Sequence, residues 1–416
     1  MIKTIHPSVV NGSINAPPSK SVTQRAIAAA LLAQGTTVIE NPSLCNDSLA
    51  AMEMAERLGA SLTRGYDYLK ISGSLKALPE VTLNCGESGL AMRMFSPIAA
   101  LLSSKCTFTG EGSLTTRPVT MVTEALLKLG VTAESNNGFL PFTLYGYLKG
   151  GRIEIDGSSG SQILTGLLMS LPLAKCDSEV IVDNLKSKPY IDLTLKLLND
   201  FGIAVVNHDY RRFIIPGNQA YKARIYSVEG DWSGSAFMLV AGAVAGDVTV
   251  NNLQSSSRQA DAAILEALKM AGADIIIENN SVRTVKTELR SFYFDATESP
   301  DLFPPLACLA INCRGTSRIK GVSRLEHKES NRAATITGVL AELGINASVG
   351  DDEMLIEGGK VSGTEVSSHN DHRIAMMASV AALLSNGSVA VTDAESVSKS
   401  YPDFFDDLEK LRVDIR

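Results

Sequence analysis

Few of the usual handles of metal, cofactor or nucleophilic chemistry occur in this chain. One tryptophan and five histidines stand among 416 residues. The six cysteines (Cys45, Cys85, Cys106, Cys176, Cys308 and Cys313) form no CxxC pair. Most lie in apolar stretches, so reduced, buried thiols are expected rather than a disulfide framework. His369 and His372 are neighbours in sequence, but no carboxylate or thiolate cluster accompanies them, and no metal site is expected. No GxGxxG follows a strand-like run, and Lys20-Ser21 lacks the glycines of a phosphate-binding P-loop, which argues against dinucleotide and ATP binding. GxSxG is absent, and no cysteine adjoins a basic cluster. No apolar run reaches the roughly 18 residues of a membrane-spanning helix. Basic excess is lacking too. The net charge is −7 and the pI about 5.4, which excludes nucleic acid or an acidic membrane surface as the main partner. The chain starts at once on a strand-like IKTIHP with no secretory or transit pattern, and a cytoplasmic location is expected.

What the chain does contain is a repeat. A helix end, a glycine and a short strand recur at Leu58-Gly59-Ala60, Leu129-Gly130-Val131, Phe201-Gly202-Ile203, Ala271-Gly272-Ala273 and Leu343-Gly344-Ile345. The glycines are 71, 72, 70 and 72 residues apart, and a sixth copy, Leu411-Arg412-Val413, carries Arg where Gly is due. A period this long implies a multi-element module. Each module also holds a helix apolar on nearly all sides, at 25–33, 90–102, 163–174, 235–245, 302–311 and 373–384, which predicts burial. Amphipathic helices fall near 47–58, 117–129, 190–201, 258–271, 330–343 and 403–411, several ending at the recurring glycine as a left-handed cap. Each module thus reads strand, buried helix, strand, amphipathic helix, strand, strand. The expected fold is α/β, of the α+β type. It has two domains, each of three βαβαββ repeats with buried central helices. The last module is short of strands that 1–13 could supply. One domain is therefore expected to comprise 1–13 and 225–416, the other 14–224, with the crossings acting as a hinge.

A polar cluster precedes each apolar helix: Ser19-Lys20-Ser21, Glu87-Ser88-Gly89, Gly160-Ser161-Gln162, Asp231-Trp232-Ser233-Gly234, Ser299-Pro300-Asp301 and Asn370-Asp371-His372. These suit N-caps, the preferred reading for Asp231 and Ser233. Yet Lys20, Arg25, Arg93 and Arg373 sit at or just inside such starts, where the helix dipole disfavours cations. An anion bound there would satisfy both the free amides and the positive side chains. A buried Lys20 needs a carboxylate or a substrate anion, and its place near the crossing favours the substrate. Arg117, after Thr115-Thr116, suits carboxylate or phosphate recognition, and Ser187-Lys188-Pro189-Tyr190 occupies the corresponding place one period later. His327-Lys328-Glu329-Ser330-Asn331-Arg332 is the densest charge cluster. It reads either as a solvated helix start with an i,i+3 ion pair or as Lys328 and Arg332 gripping an anion, with Glu329 as a proton-transfer group. Asp301 is a second candidate carboxylate, and Lys399 a further cation. Many cations, few carboxylates and no cofactor motif suit a transfer between two anionic small molecules.

The motifs PPSKSVTQRA, GESGLAMR, TTRP, SQILTGLLMSLPLA, SKPYIDLTL, HKESNR, NDHRIAM and SKSYPDFF stand in the order seen in the 5-enolpyruvylshikimate-3-phosphate synthase family, which the chain resembles from about residue 7 to residue 406. That resemblance implies an inverse α/β barrel fold in two closing domains with the active site between them. The implied reaction adds the 5-hydroxyl of shikimate 3-phosphate to C2 of phosphoenolpyruvate, and the tetrahedral intermediate then loses phosphate. By motif, Lys20, Ser21, Arg25, Gly160, Ser161, Gln162, Ser187, Tyr190, Asp301 and Lys328 would face shikimate 3-phosphate. Lys20, Gly89, Arg117, Gln162, Arg332, Arg373 and Lys399 would hold phosphoenolpyruvate. Asp301, Glu329, Lys20 and His372 would be catalytic, with Asp301 taking the hydroxyl proton and Glu329 handling the methylene proton. No metal or cofactor is implied, the partners are the two substrates, and a monomer is expected. Glu87 stands where an amide is common, adding negative charge at the phosphoenolpyruvate end. Gly160 replaces the usual Ser, and Arg324-Leu325-Glu326 lacks an Asn found in some members. A sister family acts on UDP-N-acetylglucosamine with a Cys on a Gly-rich loop; Glu111–Arg117 here has none. The remaining alternative is a non-catalytic anion-binding repeat scaffold.

Overall fold

The computed structural model describes residues 1–326 and 328–416. The chain forms two compact units, one of Met1–Pro17 with Glu229–Arg416 and one of Pro18–Val228. Each encloses its own apolar core.

Twelve α-helices occur among the described residues, alternating between two kinds. The odd-numbered ones are α1 (Lys20–Leu32), α3 (Gly89–Leu102), α5 (Gln162–Ser170), α7 (Trp232–Ala245), α9 (Phe303–Ile311) and α11 (His372–Ala381). They are buried nearly throughout, as their all-round apolar sequence requires. In α7 only Ser233 escapes full burial. The even-numbered ones are α2 (Asn46–Arg57), α4 (Thr120–Leu127), α6 (Lys188–Asp200), α8 (Ile264–Ala271), α10 (Arg332–Glu342) and α12 (Phe404–Lys410), each burying one face.

Five four-stranded sheets share one plan, and a sixth sheet of three strands keeps its parallel pair and one antiparallel neighbour. In the second repeat Val81–Asn84 pairs parallel with Lys105–Thr109, which pairs antiparallel with Phe139–Tyr145, itself antiparallel to Thr132–Asn136. The parallel pair is joined through buried α3, since a parallel connection needs a crossover. The strands read with period two: in Thr316–Lys320 only Ser317 and Ile319 are fully buried.

The first strands of two repeats are exchanged along the chain. Val10–Asn15 precedes α1 but pairs parallel with Gly246–Asn251. Ile225–Ser227 precedes α7 but pairs parallel with Thr36–Glu40. This corrects two expectations. The units meet after Pro17 and Val228 rather than at 13/14 and 224/225, because Ile14 and Asn15 still pair with Val250 and Asn251, and the Val228 amide donates to the Glu40 carbonyl. Only Lys3–Ile5 completes the last repeat, antiparallel to Val389–Thr392, while the next strand opens the fourth.

The recurring glycines all take positive φ: Gly59 +97°, Gly130 +83°, Gly202 +80°, Gly272 +82° and Gly344 +81°. Arg412 holds the same place at φ 72°. A side chain there costs about 1–2 kcal/mol, partly offset by the greater chain entropy Gly loses on folding. Arg412→Gly is therefore expected to stabilise the chain by up to about 1 kcal/mol, read as a higher denaturation midpoint with unchanged slope. A lower midpoint would show that the Arg412 side chain contributes more than its backbone costs.

Candidate active site

Two clusters gather the singled-out residues, one in each unit. In the unit of Met1–Pro17 and Glu229–Arg416 the hub is Arg332, the first residue of α10 and fully buried. Its Nε donates to Asp371 Oδ2 at 2.8 Å and its Nη1 to Asp301 Oδ1 at 2.7 Å. Its Nη2 donates to Asp371 Oδ1 at 3.2 Å and to Glu329. Three carboxylates thus converge on one guanidinium. The charged run at 328–332 is not a solvated helix start. The i,i+3 pair exists, but on a buried arginine. The anion that Lys328 and Arg332 grip is the chain's own: Lys328 Nζ lies 3.2 Å from the same Asp301 Oδ1. His327, which opens that motif, lies outside the described residues.

Asp301 sits in a single turn, Pro300–Leu302, leading into α9. Arg373, in the first turn of α11, donates Nη2 to Asp301 Oδ2 at 3.1 Å and Nη1 to the Asp301 carbonyl at 3.4 Å. Burial alone would push the Asp301 carboxyl up, but Arg373, Lys328 and Arg332 outweigh it and hold the group well below the usual carboxylate range. Burial lowers Lys328, and Asp301 only partly restores it. Asp371 caps α11 by accepting from the Arg373 amide at 3.0 Å, and it accepts from Ser330 Oγ at 3.0 Å. His372 is buried beside it, with Nδ1 3.8 Å from Asp371 Oδ1. Lys399 Nζ donates to the Asn370 carbonyl at 2.6 Å.

The cluster of the other unit gathers at the starts of α1, α3, α5 and α6. Lys20 opens α1 and pairs with Asp47 at 2.9 Å, both side chains mostly buried. Of the two partners that burial allowed, this chain supplies the carboxylate, where the sequence favoured a substrate anion. Asp47 was not foreseen; it stands in the first turn of α2, where an acid suits the dipole. Arg25 is buried and its partners are neutral: Thr194 Oγ1 at 2.9 Å, Thr165 Oγ1 at 3.5 Å and the Ser21 carbonyl at 2.8 Å. Burial lowers its pKa to about 10, and the Tyr190 ring lies 5.9 Å from it. Ser187 precedes α6 in the left-handed region at φ 59°, and Ser161 precedes α5 after Gly160. At α3, Ser88 caps the Ala91 amide at 3.2 Å. Arg93 Nη1 donates to Gln162 Oε1 at 3.0 Å. Arg117, only 6% exposed, follows a 3-10 turn at Gly112–Thr116 rather than opening a long helix. Its Nη2 lies 3.4 Å from Ser113 Oγ. Glu87 points its carboxylate at that turn, accepting from the Ser113 amide at 3.1 Å. No thiol stands in 111–117. Five cysteines are buried; Cys176 is exposed, as its place in the polar turn after Ala174 dictates.

One residue changes role. Asp231 caps α7 at the Gly234 amide, 2.7 Å away. Ser233 is no cap: it lies inside α7 and its hydroxyl accepts from Arg373 Nη1.

Compared with known proteins, residues 5–408 match the family model described as EPSP synthase (3-phosphoshikimate 1-carboxyvinyltransferase). A 3-phosphoshikimate 1-carboxyvinyltransferase of Clostridium botulinum (strain Eklund 17B / Type B) is 37% identical, over 98% of this chain and 96% of its own. One of Methanocorpusculum labreanum is 37% identical over 98% of each chain. A solved EPSP synthase from Acinetobacter baumannii superposes with a TM-score of 0.83 at 25% identity, covering 100% of this chain and 99% of that one. No helix among the described residues is long and apolar enough to cross a membrane. Full-length similarity, a repeated sheet plan and two clusters of buried cations with few carboxylates agree: the chain belongs to the EPSP synthase family, the 3-phosphoshikimate 1-carboxyvinyltransferases that transfer the enolpyruvyl group in the shikimate pathway.

Proposed function

We propose that the two clusters carry this transfer residue by residue. Shikimate 3-phosphate is held by Lys20, Ser21, Arg25, Ser161, Gln162, Ser187 and Tyr190, with the backbone at Gly160, and by Asp301 and Lys328. Phosphoenolpyruvate is held by Lys20, Arg117, Gln162, Arg332, Arg373 and Lys399, with Gly89 giving close backbone approach. Asp301 accepts the 5-hydroxyl proton as that oxygen bonds to C2 of phosphoenolpyruvate. Glu329, with His372 nearby, delivers a proton to the methylene carbon. The carboxylate left on Glu329 then takes a proton back from the same carbon while the C2–O bond to phosphate breaks and the phosphate leaves with that electron pair. The products are the enol ether and inorganic phosphate. Both substrates are anions, and soluble cytoplasmic enzymes handle such metabolites.

The observation that carries this reading is the pair of carboxylates, Asp301 and Glu329, tied to one buried arginine. It also sets a physical condition. A carboxylate held far below its usual range is a weak base. The phosphate and carboxylate of phosphoenolpyruvate, binding Arg332 and Arg373, would draw off part of the positive field that suppresses Asp301. Substrate binding thereby prepares the base. The test is phosphate release from phosphoenolpyruvate. It is expected with shikimate 3-phosphate and absent with UDP-N-acetylglucosamine. Release with the nucleotide sugar, or with neither, would overturn the reading.

A further inference from the structure

Two buried threonines, Thr165 on α5 and Thr194 on α6, are left unused by the reaction as described. Arg25, Thr165 and Thr194 stand four residues after Ser21, Ser161 and Tyr190 respectively. Four residues are about one helical turn, so the three lie one turn deeper than those site residues, and none is more than 1% exposed. The Thr194 hydroxyl gives its one proton to the Tyr190 carbonyl at 2.8 Å. Toward its other neighbours that oxygen is an acceptor: from Arg25 Nε at 2.9 Å and from the Thr165 hydroxyl at 3.3 Å. Thr165 Oγ1 accepts in turn from Arg25 Nη2 at 3.5 Å, and Arg25 Nη1 donates to the Ser21 carbonyl at 2.8 Å. Every proton of the group is thereby assigned, in one direction, from the guanidinium through two hydroxyls to the backbone at Tyr190. A guanidinium has five N–H groups, so one on each terminal nitrogen is left to grip an anion.

We propose that Thr194, supported by Thr165, is a positioning residue: it fixes the Arg25 guanidinium so that its two remaining N–H groups grip the anionic end of shikimate 3-phosphate. The inference rests on the functional reading above. The neutrality of the two threonines is part of it. Arg332 and Lys20 are matched by carboxylates of the chain itself, so a substrate anion there competes with Asp371 or Asp47. Arg25 meets two hydroxyls, a carbonyl and the Tyr190 ring, and among the described residues no carboxylate pairs with it. An aspartate at 194 would hold the guanidinium as firmly but would cancel the charge that the substrate needs. A buried cation without a counter-charge costs stability in the empty protein. Such a cost serves no packing purpose, and the incoming anion removes it.

The experiment compares wild type, Thr194→Val, Thr194→Ser and Thr165→Val in the full chain. Valine keeps the shape and removes the hydroxyl; serine keeps the hydroxyl and removes the methyl group. Thr194→Val is expected to raise KM for shikimate 3-phosphate about tenfold, while kcat and KM for phosphoenolpyruvate stay within about twofold. The rise in Tm that shikimate 3-phosphate gives wild type should shrink in this variant. Thr194→Ser should return KM to within about threefold of wild type. Thr165→Val, which removes the longer bond to Arg25, should raise the same KM about threefold. Unchanged KM for shikimate 3-phosphate in Thr194→Val, or equal rises in both KM values, would overturn the inference. So would a Thr194→Ser as poor as Thr194→Val, which would assign the effect to packing of the methyl group. Should Thr194→Val fail to fold, Thr165→Val decides alone, and an unchanged KM there overturns the inference. A wild type that releases no phosphate with shikimate 3-phosphate overturns the functional reading, and this inference with it.

Discussion

Asp301→Asn and Glu329→Gln are each expected to lower kcat by about two to four powers of ten, the range spanned by loss of a positioned acid or base. Apparent binding of both substrates should stay within an order of magnitude, for a reason the geometry supplies. Asp301 accepts from Lys328, Arg332 and Arg373 at 3.2, 2.7 and 3.1 Å. Without its charge, three cations remain beside one another, an environment that welcomes an anionic substrate. Turnover and affinity should therefore separate, with KM for phosphoenolpyruvate unchanged or lower as kcat falls. Glu329→Gln keeps an acceptor for Arg332 and loses only the proton-handling function. The fold is a real concern, because removing one partner of a buried ion pair can cost about 3–5 kcal/mol. Arg332 keeps two bonds to Asp371 in both variants, which limits that cost. Single-turnover measurement of phosphate release, with thermal melts as control, decides the matter. Near-normal turnover in both variants would remove the two carboxylates from the proposed proton transfers.

Much of this arrangement was legible in the sequence because it follows from periodicity. All-round apolar helices must be buried, and Gly at a 70–72-residue spacing must end helices in the left-handed region; Gly59, Gly130, Gly202, Gly272 and Gly344 all do so. Strand exchange was not legible. Val10–Asn15 and Ile225–Ser227 carry no local mark of their partners, and which sheet each joins is decided by long-range pairing, not by local pattern. In the cluster around Arg332 the charged types were legible but their partners were not. Arg332 and Glu329 stand three apart, so their pairing could be anticipated from sequence nearness, although Glu329 lies before α10, which begins at Arg332. The Asp301 and Asp371 contacts span 31 and 39 residues and leave no mark in spacing. Lys20 shows the same limit: burial demanded a counter-charge, and Asp47 supplies it from the next helix. Ser233 departs from the expected cap for a local reason. A serine at a helix start is usually a cap, but Asp231 already satisfies the Gly234 amide, which leaves Ser233 free to serve Arg373.

Gly89→Ala is expected to raise KM for phosphoenolpyruvate about tenfold and Ki for glyphosate about a hundredfold or more. Gly89 opens α3 behind the Ser88 cap and is buried. A Cβ there would lie 2.8 Å from Arg93 Nη1, 2.9 Å from Arg117 Nη1 and 3.7 Å from Gln162 Oε1. These are the far ends of flexible side chains, so the helix can accept the methyl group by displacing them. The displaced groups are two cations and the amide that joins Arg93, so the cost falls on anion binding rather than on folding. Overpacking of this size costs about 1–3 kcal/mol, and a tenfold loss of affinity corresponds to about 1.4 kcal/mol. The family resemblance implies that the herbicide glyphosate occupies the phosphoenolpyruvate pocket and reaches slightly further at the Gly89 end, where it would meet the methyl group as well as the displaced guanidinium groups. That second clash separates inhibitor from substrate. Glu87 bears on the result, because its carboxylate holds the turn that carries Arg117 and limits how far the guanidinium can retreat. Steady-state inhibition on wild type and variant measures both constants. KM for shikimate 3-phosphate should change less than KM for phosphoenolpyruvate, because the Cβ would lie 3.7 Å from Gln162 Oε1 and closer than 3 Å only to the two arginines. Equal rises in KM and Ki would show that the displaced arginines account for the whole effect and that glyphosate does not reach Gly89.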